Sequence, residues 1–138
     1  MRKANSSPRS HPSKLHVLVV DDDPSNLEAL RLVLQRGGSR ITTASSAAEA
    51  MEVFEQETPD VLLSDIGMPG ESGYDLIRKV RELPKERGGD IPAAALTAYA
   101  EPEDREDALR SGFMMHIPKP VDPVELLTLV SELARMAA

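Results

Sequence analysis

Apolar residues along the chain fall into two alternating kinds of run. Residues 15–20, 40–44, 61–63, 91–96 and 113–117 form short stretches rich in β-branched or small apolar side chains, the pattern of buried strands. Between them apolar positions recur three and four apart. They are Leu27, Leu30, Val33 and Leu34; Ala47, Ala50, Met51 and Phe54; Leu76, Ile77, Val80 and Leu83; and Val124, Leu127, Val130 and Leu133. Each set predicts one buried helix stripe. A further helix after Pro102 offers little beyond Ala108 and Leu109, and is the most weakly anchored by composition.

Local punctuation agrees with that reading. Asp23-Pro24 and Asp122-Pro123 fit the N-cap and first position of a helix, and Ser46 to Glu49 reads as a capping box. Gly37-Gly38, Gly88-Gly89 and Gly112 stand where helical segments stop, as helix C-termini favour glycine. The third helix is expected over residues 74–83. Five strand-then-helix units imply an α/β fold, a doubly wound parallel sheet with helices on both faces. In such sheets the loops after the strands open at one edge, where ligands bind.

That edge collects the chemistry. The third strand ends in Asp65-Ile66-Gly67-Met68-Pro69-Gly70, a carboxylate followed at once by residues that break regular structure. The first strand runs into Asp21 and Asp22, two adjacent acids that repel unless a cation or lysine compensates them. The fourth strand ends at Thr97, and Lys119 follows the fifth. Oxygen ligands without Cys or His suit Mg²⁺. Phosphoryl transfer needs positioning and charge neutralisation, and a carboxylate can serve as its nucleophile. Asp65, central in the expected sheet, is the candidate acceptor. Asp21 and Asp22 are the candidate metal acids, with Asp65 and the Gly67 carbonyl completing the shell.

Composition narrows the alternatives. A chain of 138 residues is long enough for one domain with a real core. The absence of cysteine rules out disulfides and thiolate sites. His11, His16 and His116 are too scattered to suggest zinc. The net charge is −7, and the four basic residues among positions 1–14 leave the remainder at −11. Such a body is ill suited to nucleic acid. Residues 1–14, polar and rich in Ser and Pro, read as a disordered tail or linker before a domain at 15–138. No apolar run suits a membrane span or signal peptide, so a cytoplasmic location is the expectation.

The chain resembles the receiver domains of two-component response regulators over residues 15–136. The likeness is carried by Leu18-Val19-Val20-Asp21-Asp22-Asp23, by Asp65 through Gly73, by Leu96-Thr97-Ala98 and by Lys119-Pro120, in the right order and spacing. It implies a flavodoxin-like three-layer sandwich with strand order 2-1-3-4-5. It also implies that Asp65 accepts a phosphoryl group from a phosphohistidine of a histidine kinase or phosphotransfer domain, with Mg²⁺ on Asp21, Asp22, Asp65 and the Gly67 carbonyl. By the same likeness Thr97 reads the phosphoryl group, Lys119 pairs with it, and the Lys119–Pro120 bond is cis. His116 occupies the position of a switch aromatic, although it also reads as a partly exposed strand-end histidine.

In similar domains the output surface is made by the fourth helix, fifth strand and fifth helix, which would bind a downstream partner and, on phosphorylation, a second copy. Tyr99 is large enough to shield the site from water. No output domain is expected within the chain, which reads as a stand-alone receiver or the C-terminal receiver of a hybrid histidine kinase. Other readings are a phosphorylation-independent interaction module and a Mg²⁺-dependent phosphatase. The phosphatase class offers a second Asp two residues after its nucleophile, where this chain has Gly67. A nucleotide-binding domain would want a glycine-rich loop after the first strand, and none is there.

Overall fold

The computed structural model describes residues 15–98 and 102–136. The expected tail at 1–14 and the shielding residue Tyr99 lie outside the described residues. Strands and helices alternate as β1 (His16–Val20), α1 (Pro24–Arg36), β2 (Arg40–Ala44), α2 (Ala47–Gln56), β3 (Val61–Asp65) and α3 (Gly73–Arg81). After a 3-10 turn at Lys85–Arg87 come β4 (Ala93–Thr97), α4 (Pro102–Ser111), β5 (Met115–Pro118) and α5 (Pro123–Arg135). All five strands are parallel, in the order β2-β1-β3-β4-β5.

Strand periodicity divides the core in two. Leu18, Val20, Leu62, Ala93 and Ala95 face Ala47, Phe54, Leu76, Ile77, Val80 and Ala108, so α2, α3 and α4 cover one side. Val17, Val19, Val61, Leu63, Ala94 and Leu96 face Leu34, Leu126, Val130 and Leu133, so α1 and α5 cover the other. Central strands buried on both faces explain why β1, β3 and β4 read as unbroken apolar runs. The alanines of β4 let the flanking layers approach closely.

Several boundaries and orientations differ from the sequence reading. Val124 is 71% exposed, while Leu126 is buried in its place and Leu127 half-buried. Val124 follows Pro123 in the opening turn of α5, where the chain is still rising from the sheet edge. The α3 helix starts at Gly73, because Ser72 and Asp75 form a capping box there, and stops at Arg81. At Ser46, the hydroxyl accepts from the Glu49 N–H, but the Glu49 carboxylate accepts from Ser45 rather than from Ser46. The box is therefore shifted by one residue on its return half. Strand β4 spans 93–97 rather than 91–96, and β5 spans 115–118 rather than 113–117, because Gly112 and Phe113 still cap α4 through Leu109 and Ala108 carbonyls.

Candidate functional site

Register brings the predicted residues to one edge. Val20 pairs with Ser64, so Asp21 and Asp65 leave their strands side by side. Asp65 pairs with Leu96 and Thr97 with Pro118, which sets Thr97 and Lys119 one step beyond. The backbone N–H of Lys119 donates to the Thr97 carbonyl at 2.7 Å, holding the last two loops together. The Lys119–Pro120 bond is cis.

Asp21 is 1% exposed and Asp65 8%, whereas Asp22 is open to solvent. The three carboxylates each offer an oxygen within 4.8 Å of the others. Both buried acids find a cation: Lys119 Nζ lies 3.1 Å from Asp21 Oδ2 and 3.2 Å from Asp65 Oδ1. Burial pushes the Asp65 carboxyl above its ordinary range, and the neighbouring Asp21 and Asp22 add to that, although Lys119 opposes it. Burial alone would lower the Lys119 ammonium. Its hydrogen bond to Asp21 and the charge of Asp65 outweigh that and raise it. The result is a compact acidic cup with the Lys119 ammonium at its rim, and the hard-oxygen set fits a small divalent cation.

The local structure that holds each acid is visible residue by residue. Asp21 Oδ1 accepts the Asp23 N–H at 2.9 Å, fixing the turn out of β1. Asp23 itself caps α1 by accepting from Ser25, which separates its job from that of its neighbours. On β3, the buried Ser64 hydroxyl donates to the Asp65 carbonyl at 3.0 Å. Behind that same carbonyl stands Gly73, the first residue of α3, whose N–H donates to Ile66. A Cβ on Gly73 would fall 2.4 Å from the Asp65 carbonyl oxygen.

Thr97 is buried at the end of β4, beside the cup. Gly67 sits in the exposed loop after β3. His116 lies on β5 opposite Ala95, on the side of the sheet covered by α4. Its ring is half-buried, and Nε2 is buried with no hydrogen-bond partner among the described residues. Sequence reasoning missed Asn26, whose amide Nδ2 reaches Asp21 Oδ2 at 3.4 Å. Its signal was its place in the first turn of α1, five residues after the acid. Sequence reasoning also missed a reason for Gly73, which was seen only as part of a motif.

The response regulator receiver domain family matches residues 17–131. Among relatives, an uncharacterized 14.6 kDa protein of Leptolyngbya boryana is 50% identical over 87% of this chain and 90% of its own length. The sensor protein EvgS of Escherichia coli is 32% identical over 94% of this chain, which spans only 10% of that protein. A CheY-like response regulator receiver domain protein from Methanospirillum hungatei superposes with a TM-score of 0.80 at 29% identity, covering 88% of this chain and 94% of that one. The chain belongs to the response regulator receiver family, the signalling modules of two-component systems that work with histidine kinases or phosphotransfer proteins. Among the described residues no helix is long and apolar enough to cross a membrane.

Proposed function

We propose that this chain is a phosphoacceptor switch in which Asp65 takes a phosphoryl group from a phosphohistidine. The observation that supports it best is the Lys119 ammonium bridging Asp65 and Asp21 inside a three-carboxylate cup. In the reaction an Asp65 carboxylate oxygen attacks phosphorus in line with the departing imidazole nitrogen. The P–N bond breaks as the P–O bond forms, and the imidazole leaves with the bonding pair. Mg²⁺, held by Asp21, Asp22, Asp65 and the Gly67 carbonyl, would supply positive charge to the phosphoryl oxygens. Lys119 turns from its carboxylate partners to the new phosphoryl group, and the Thr97 hydroxyl donates to it.

Movement of Thr97 toward the phosphoryl group opens space behind β4, into which the half-buried His116 ring can settle. Sheet and helix would shift together there, since α4 has only one buried apolar side chain, Ala108. The surface made by α4, β5 and α5 is then the partner face, for an output protein or a second copy. The working unit is residues 15–138, with 1–14 as tail or linker, in a cytoplasmic protein that is either a stand-alone receiver or part of a hybrid histidine kinase. The presence of the whole acid set in this chain, together with Lys119, favours this reading over a phosphorylation-independent module. The glycine at position 67 disfavours the phosphatase.

The test is an amide NMR titration with Mg²⁺ and then beryllofluoride, on the parent protein and on Asp65→Asn. Mg²⁺ is expected to shift signals near 21, 65 and 97. Beryllofluoride is expected to move residues 102–118 only where Asp65 is present. Failure of both ligands to bind overturns the proposal in favour of an interaction module.

A further inference from the structure

Asp21 is a buried carboxylate whose orientation depends on few donors. Oδ1 has the Asp23 N–H at 2.9 Å. Oδ2 has two side-chain donors, Lys119 Nζ at 3.1 Å and Asn26 Nδ2 at 3.4 Å. These donors differ in kind. Lys119 is shared with Asp65 at 3.2 Å, carries a positive charge that competes with any cation in the cup, and in the proposed reaction is drawn away to the phosphoryl group. Asn26 carries no charge. It is fixed by the start of α1, where the Asp23 cap and Pro24 at the first helical position set the path of the backbone.

Resting on the phosphoacceptor reading above, we propose that Asn26 is a positioning residue. Its amide keeps Asp21 aimed into the cup, above all when Lys119 has turned to the phosphoryl group, and does so without repelling the metal. Mg²⁺ demands near-octahedral geometry and tolerates little misplacement of a carboxylate ligand. Hydrogen bonds from outside the ligand shell commonly decide that placement, and their loss typically weakens metal binding by about 10–100-fold. Asn26 is the third residue of α1, and from that first turn its amide reaches back toward the preceding strand end.

The experiment measures Mg²⁺ affinity by calorimetry, with no phosphodonor present, for the parent protein, Asn26→Ala, Lys119→Ala and the double variant. Metal-free thermal unfolding is followed in parallel. Asn26→Ala is expected to weaken Mg²⁺ binding about tenfold while leaving metal-free unfolding unchanged. Its effect should be larger in the Lys119→Ala background, where the amide is the remaining side-chain donor to Asp21 among the described residues. Equal affinity of parent and Asn26→Ala overturns the inference, and so does a loss that only mirrors a lower unfolding temperature. An Asn26 effect that is the same with and without Lys119 refutes the shared support of Asp21. A parent protein that binds no Mg²⁺ instead sinks the phosphoacceptor reading, and this inference with it.

Discussion

Lys119 Nζ stands 3.2 Å from Asp65 Oδ1 while also touching Asp21 Oδ2, so one ammonium ties the ends of β1 and β3 to the loop after β5. With 23% of its side chain exposed, Lys119 is sheltered enough for the pair to count, yet wet enough to let the ammonium move. Removing it leaves two buried carboxylates facing each other. Lys119→Ala is therefore expected to lower metal-free stability by roughly 2 kcal/mol, the scale of a charged hydrogen bond lost in a part-buried setting. Mg²⁺ binding should tighten, because a competing cation is gone. Denaturant unfolding with and without Mg²⁺ checks both signs, and a variant that binds Mg²⁺ less well than the parent would contradict a competition between Lys119 and Mg²⁺ for the carboxylates of the cup.

Gly73 gives a second prediction, about backbone rather than charge. With α3 beginning directly behind Asp65, an added Cβ would sit 2.4 Å from the Asp65 carbonyl oxygen and 2.9 Å from Ile66 Cα. Both are main-chain atoms that cannot rotate away. Gly73→Ala should cost about 1–3 kcal/mol, as overpacking does, and should slow phosphorylation of Asp65 by a small-molecule phosphodonor. Gly67→Ala is the contrast, since a Cβ there meets nothing within 4 Å. Equal unfolding midpoints for the two variants would show that the main chain at Asp65 yields more easily than this packing implies.

How far the sequence speaks can be judged from these same residues. The ends of β1, β3 and β4 were legible to within a residue because those buried runs stop on Asp21, on Ser64-Asp65 and on Thr97, and a parallel sheet places such ends at one edge. Asp23 was separable from Asp21 and Asp22 because the following proline marks a helix start. Leu127 was placed inward because helical period alone does not say which of two adjacent apolar positions faces the sheet, and Leu126 won, while Val124 was misplaced because it stands in the opening turn of α5. Gly73 carried no local signal of its packing, and Asn26 only its place in the first turn of α1, because both act through contacts across a turn, with Asp65 and with Asp21. Arg81 is a similar case. It looks like a surface cation in sequence, yet it donates to the carbonyls of Gly89, Ile91 and Gly112 and so binds α3 to the turn after α4.

His116 tests the proposed relay from the site to the proposed partner face. It sits on β5 with Nε2 buried and without a hydrogen-bond partner among the described residues, next to the weakly anchored α4. His116→Ala should leave Mg²⁺ and beryllofluoride binding within about twofold of the parent, because the ring touches neither. The beryllofluoride-induced amide shifts in residues 102–118 should shrink markedly. Shifts of undiminished size in the variant would remove His116 from the relay and leave α4 to respond to Thr97 alone.

The opposite end of the sheet carries a prediction about pH. His16 opens β1 and is almost fully buried, with Nε2 2.8 Å from Thr42 Oγ1 and Nδ1 3.9 Å from Glu57 Oε2. Burial lowers its pKa, and Arg40 lowers it further, against the smaller opposing pull of Glu57 and Asp60. Glu57 is already held by Arg40, and the Asp60 carboxylate by the His16 backbone N–H, so neither is free to welcome an imidazolium. The folded state thus binds the proton less readily than the unfolded chain, whose histidine titrates near 6.5. Stability from neutral His16 is fully present above that value and is lost as pH falls from about 6.5 through the lower pKa of the folded state. The slope in that window is at most one proton, about 1.4 kcal/mol per pH unit. The unfolding free energy of the parent should therefore fall relative to that of His16→Val between pH 7.5 and about 5, whatever the effect of the substitution at neutral pH. Parallel curves would mean that His16 is as easily protonated in the fold as in the unfolded chain.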